Sequence, residues 1–178
     1  MKIVSGSLEI NIVDERGSSF DAPTQVGAYA FVKNLDDPSP PCSVCGIHVN
    51  TAPVALLGTR AGGPTRVHAH SALFLEGLLY VAIGHRIVCM RLRPFAYRWA
   101  LCADEGSCCG VYFENTRRAL ICCGELSISR FTEAGSLLWQ SPGEDIFTGR
   151  LSLESAFVKV FDFNGREYRF RYEDGSPV

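Results

Sequence analysis

Apolar and polar positions alternate along this chain in short runs, as in Leu8-Glu9-Ile10-Asn11-Ile12 and Tyr168-Arg169-Phe170-Arg171-Tyr172. A period of two is the signature of strands, because successive strand side chains point to opposite faces of a sheet. The runs stop at turn residues such as Gly135, Gly175 and the pair Asn164-Gly165, a strong hairpin signal. No window sustains the 3.6-residue apolar stripe of an amphipathic helix. The pattern predicts an all-β chain.

The strand-and-turn pattern also repeats. Forty residues separate Gly135 from Gly175, Gly84 from Gly124 and Trp99 from Trp139. The turn Glu133-Ala134-Gly135-Ser136 returns as Glu173-Asp174-Gly175-Ser176 and is foreshadowed by Glu15-Arg16-Gly17-Ser18. Weaker copies run through Ile87-Val88-Cys89-Met90-Arg91-Leu92, turning near Pro94, and Ile47-His48-Val49-Asn50, turning at Thr51-Ala52-Pro53. Each copy is preceded by a further hairpin, for example Ala72-Leu73-Phe74-Leu75, Glu76-Gly77, then Leu78-Leu79-Tyr80-Val81-Ala82-Ile83. One unit is therefore about four antiparallel strands, and about four units fill the single domain expected over residues 1–178. Trp99 and Trp139 hold equivalent places in the repeat, which predicts a packing role for both.

Units of this length, each ending near a Trp, resemble the blades of quinoprotein-like β-propellers. The resemblance implies a small propeller-like stack; a curved two-sheet sandwich is the alternative. It also implies that residues 18–23 supply a strand completing the last blade.

Composition narrows the function classes. A chain of 178 residues buries roughly 70% of its unfolded surface and needs no metal or disulfide as a staple. A formal charge of −2, from 17 basic and 19 acidic side chains, gives no field to gather nucleic acid or anionic membrane, and neither is expected as a partner. The start of the sequence has no export signal, so the expected location is the cytoplasm and the eight cysteines are expected as free thiols. In the vicinal pair Cys122-Cys123, strand alternation predicts that only one side chain enters the core.

Two constellations suggest chemistry. Cys42-Ser43-Val44-Cys45 and His68-Ala69-His70 together offer two thiolates and two imidazoles, a donor set suited to tetrahedral zinc, with the His pair on one face of a strand. The same His pair followed by Glu76, with Gly62 and Gly84 nearby, resembles the first motif of cupin metal enzymes, although Glu76 is one residue out of step and no second motif follows. No nucleophile elbow, phosphate loop or dinucleotide fingerprint is present.

The leading expectation is therefore a non-enzymatic module that binds a protein partner without a cofactor, of bacterial accessory or toxin-neutralising (immunity) type. The irregular stretch from Asn34 to Gly46 is the expected binding loop, with Asp36 and Asp37 offering carboxylates and Pro40 and Pro41 rigid contact surface. Arg169 and Arg171 are expected on one face of the last strand, as charge protecting an edge.

Overall fold

The structure, a computed structural model, describes residues 1–15, 28–60 and 67–178. Among the described residues there are sixteen strands and no helix, arranged in four sheets. The turn copy at residues 15–18 beyond Glu15, the extra strand expected over 18–23 and Gly62 lie outside the described residues.

The first sheet contains β1 (Lys2–Ser5), β2 (Leu8–Asp14), β3 (Phe31–Asn34), β4 (Ser43–Val49) and β5 (Ala52–Thr59), ordered β1-β2-β4-β5-β3. Its last pair, β3 with β5, is parallel, whereas its other pairs are antiparallel. The second sheet is the meander β6 (Ala72–Leu75), β7 (Leu78–Ile83), β8 (Arg86–Leu92) and β9 (Phe95–Cys102). The third repeats it with β10 (Cys108–Glu114), β11 (Ala119–Gly124), β12 (Ser127–Phe131) and β13 (Leu137–Pro142). The fourth has β14 (Phe147–Leu153), β15 (Phe157–Asp162) and β16 (Glu167–Arg171). The Arg171 amide donates to Ser176 and the Val178 amide to Arg169, which begins a fourth strand on β16.

Three apolar clusters hold the sheets face to face. Ile10, Ile47 and Leu57 meet Leu79, Val88 and Met90 between the first and second sheets. Tyr80, Ile87 and Cys89 meet Val111, Leu120 and Cys122 between the second and third. Ile121, Ile128 and Trp139 meet Phe147, Val158 and Val160 between the third and fourth. Each aliphatic side chain so buried contributes about 1.5–3 kcal/mol relative to exposure.

A sheet inside this stack is covered on both faces, which corrects the expectation for Cys122 and Cys123. All six residues of β11 are buried, Cys122 in the cluster toward the second sheet and Cys123 in that toward the fourth. Alternation still directs the two thiols to opposite faces, but both faces are core.

The forty-residue repeat has a direct physical meaning at the sheet junctions. Trp99, on the outer strand of the second sheet, donates its indole N–H to the Glu133 carbonyl at 3.0 Å in the third. Its ring lies against Gly135, where an added Cβ would sit 2.6 Å away. One repeat later, Trp139 donates to the Tyr172 carbonyl at 2.8 Å and covers Gly175, whose Cβ would sit 2.7 Å from the ring. Gly135 and Gly175 have φ of +86° and +72°, so these turns need glycine both for their backbone and for the ring above. Gly175→Ala is accordingly expected to cost about 1–3 kcal/mol, read as a fall in urea midpoint at constant slope. At the first junction Phe31 substitutes for Trp, with its ring 5.4 Å from Phe95 and 5.5 Å from Tyr97.

Candidate functional site: the loop end of the stack

The connections of all four sheets gather at two ends. One end, called the loop end here, carries residues 35–42, Gly84-His85, residues 103–107, Glu125-Leu126, residues 143–146 and residues 163–166. Backbone hydrogen bonds join these connections within the second, third and fourth sheets, from the second to the third and from the third to the fourth. Ala103 donates to His85 at 3.0 Å, Cys108 to Gly84 at 2.6 Å, Glu125 to Ser107 at 2.8 Å, Phe147 to Glu125 at 2.8 Å and Phe163 to Ile146 at 2.7 Å. The turns are thus fixed to one another as well as to their own strands.

Three buried aspartates complete this framework. Asp104 accepts from the Gly106 amide at 2.6 Å, from the Ser127 amide at 2.8 Å and from the Ser127 hydroxyl at 2.7 Å. Asp162 accepts from the Arg166 amide at 2.9 Å and the Tyr168 hydroxyl at 3.0 Å. Asp36 accepts the Thr59 hydroxyl, the Arg60 amide at 3.0 Å, and the Arg86 Nε at 3.0 Å and Nη2 at 2.8 Å. Burial alone would raise the Asp36 pKa, but these hydroxyl, guanidinium and amide donors outweigh it and bring the pKa down to about 2. His85 stands beside it, Nε2 at 3.6 Å.

The structure therefore divides the expected binding loop. The Asp36 carboxylate is turned into the molecule and ties the loop to the second sheet, while Asp37 and Pro40 are exposed and Pro41 is half-buried. Asp37 and Pro40 are thus open to solvent on this loop, whereas the Asp36 oxygens are not.

The candidate metal ligands do not come together. Cys42 is exposed, whereas Cys45 lies in the core between the first two sheets, where burial pushes its thiol up to about 12. His68 and His70 precede β6 in a turn and not on a strand; the His70 ring stacks on Tyr112 at 4.4 Å. Glu76 sits at the far end of β6, in a bidentate pair with Arg118 at 2.8 and 3.0 Å. Among the described residues no three His, Cys, Asp or Glu side chains are placed to hold a metal ion.

What sequence reasoning missed is an apolar row on the turns themselves. Leu126, Ile146 and Phe163 are 44%, 48% and 77% exposed. They ride on the hydrogen-bonded turns of the third and fourth sheets, with the Gly143 amide bonded to the Leu126 carbonyl and Phe163 to Ile146. Glu105, Glu125, Glu144 and Asp145 surround them, and an open groove of about 270 Å³ borders Leu126, Glu105 and Gln140. The signal was a large apolar residue inside otherwise polar turns: Gly124-Glu125-Leu126, Glu144-Asp145-Ile146 and Asp162-Phe163-Asn164.

No protein-family model matches the chain, and no curated protein matches it in sequence. Solved structures do match in fold. One is the crystal structure of BamB from Moraxella catarrhalis, with a TM-score of 0.52 at 14% identity over 99% of this chain and 61% of that one. The chain thus spans about three-fifths of that structure's length. The likeness is one of fold: all-β, propeller-like, built from repeated antiparallel sheets.

Proposed function

We propose that the chain is a non-enzymatic protein-binding module that receives its partner on the loop end. The observation that carries this reading is the apolar row of Leu126, Ile146 and Phe163, held in water on turns that a hydrogen-bond framework keeps in place. Exposed apolar side chains on a rigid scaffold are the usual centre of a protein interface, and surrounding carboxylates supply the polar rim. Asp37 and Pro40 extend the same end toward the first sheet.

The same proposal places the protein in the cytoplasm, as an accessory or immunity-type component. Its eight cysteines are free thiols, and most serve as small apolar groups in the core. Burial pushes Cys89 up to about 11 and Cys109 up to about 12, so these thiols are inert where a reducing compartment keeps them.

The test is affinity capture from the producing cell, quantified by mass spectrometry, with wild type compared to Ile146→Asp plus Phe163→Ser. The expected result is a partner retained by wild type and depleted at least about tenfold on the variant, with the melting temperature unchanged. Equal retention by both proteins overturns the reading. Pro40→Ala with Pro41→Ala is expected to weaken capture more mildly, because those residues lie away from the apolar row.

A further inference from the structure

The outward face of the fourth sheet differs from every face inside the stack. Along β15, Val158 and Val160 point into the core, so Phe157, Lys159 and Phe161 point away from it and remain half-buried. On β16, Arg171 stands opposite Phe157 and Arg169 opposite Lys159, both exposed. Arg150 of β14 and Phe161 line one open groove of about 420 Å³. The Arg169 guanidinium lies over the Phe157 ring at 5.1 Å.

The charges on this face are not balanced. Lys159 pairs with Glu154 at 3.4 Å and Arg169 with Glu167 at 2.6 Å. Among the described residues Arg150 and Arg171 make no ion pair within 4 Å; Arg171 has a more distant counter-charge in Asp174, whose pKa it helps to lower, and Arg150 carries none. A further sheet with an apolar face like those inside the stack would strip water from these guanidiniums without supplying a counter-charge. The face is therefore built to stay wet or to meet an anion.

We propose that it binds an extended acidic protein segment whose sheet-facing positions, every second residue, carry carboxylates and apolar side chains in turn. Phe157 and Phe161 lie four positions apart on one strand, about 13 Å, the span of a five-residue extended segment. Arg171 flanks the Phe157 end and Arg150 the Phe161 end, so carboxylates reach the free guanidiniums while apolar side chains cover the rings. Two separate free cations do not form the continuous track that a phosphodiester chain, with a charge at each nucleotide, would follow. This surface meets the loop end at Phe163 and Gly165, which line the same groove as Arg150 and Phe161, but Leu126 and Ile146 take no part in it.

The test is fluorescence anisotropy on the full chain with a short labelled peptide in which every second residue is Glu or Leu in turn and Ser fills the positions between. Saturable binding by wild type is expected, weakened about tenfold or more by Arg150→Glu with Arg171→Glu and unchanged by Ile146→Asp. The same peptide with Lys for Glu is expected not to bind. Phe161→Ser, which keeps every charge, is expected to weaken binding severalfold. No binding by wild type, equal binding by the charge-reversed variant, or preference for a labelled oligothymidylate over the peptide overturns the proposal. Circular dichroism establishes that each variant, altered only on the solvent side of the sheet, is folded.

Discussion

Trp139→Ala is expected to remove about 3–5 kcal/mol of stability. Trp139 is 7% exposed, belongs to the core between the third and fourth sheets and closes over Gly175, so its removal leaves a cavity and takes from the Tyr172 carbonyl one of its two donors, the other being the Arg130 guanidinium. Against a total of about 5–15 kcal/mol for a domain, that is a large fraction. Urea unfolding should show a lower midpoint. Trp139→Phe, which keeps a ring but loses the 2.8 Å indole bond, should cost nearer 1–2 kcal/mol. Trp99→Ala should fall below Trp139→Ala, because Trp99 is only half-buried. If both alanine variants cost the same, burial at the junction is not what sets the loss.

Asp36→Ala is expected to cost about 3 kcal/mol at neutral pH, because it strands Arg86, Thr59 and the Arg60 amide together. The pH dependence has a definite sign. The folded pKa lies below the unfolded value, so the contribution is present above about pH 4 and is lost as pH falls through the folded value of about 2. The part that titrates is on the order of 2 kcal/mol. His85 acts in the same direction at higher pH: burial lowers its pKa despite Asp36, so protonating it below its ordinary range disfavours the folded state. Unfolding free energies of wild type and Asp36→Asn, measured across acid pH, should converge toward pH 2. A constant gap would mean that the Asp36 carboxylate does not carry the contribution.

The two residues mark the limits of what the chain reveals in one dimension. Trp139 was legible because its partner is encoded at the same period: the Gly175 turn and the Trp recur together, and the junction they form recurs with them. Asp36 was legible as a loop carboxylate but not as a buried one, since its partner Arg86 lies 50 residues away and belongs to no repeat. The His pair failed for a related reason: alternation in His68-Ala69-His70 resembles a strand, yet the segment turns before β6 and His70 takes its contact from Tyr112 in the next sheet. Cys123 was misjudged because periodicity predicts which way a side chain points but not whether something covers that side. The first sheet, the faintest copy in sequence, is also where the order departs from a meander, with β3 joining β5 in parallel. Leu126, Ile146 and Phe163 stood in plain view as apolar residues in turns; only the neighbouring sheets make them a row.

Because each apolar cluster is shared by two adjacent sheets, the molecule's cooperativity is that of a short linear chain with nearest-neighbour coupling. The two inner sheets are each clamped twice, whereas the first and the fourth are each coupled through one cluster and so fray before them. Amide exchange should rank accordingly, slowest in β7, β8 and β11 and fastest in β1 and β16, giving the protein a graded rather than uniform resistance to opening.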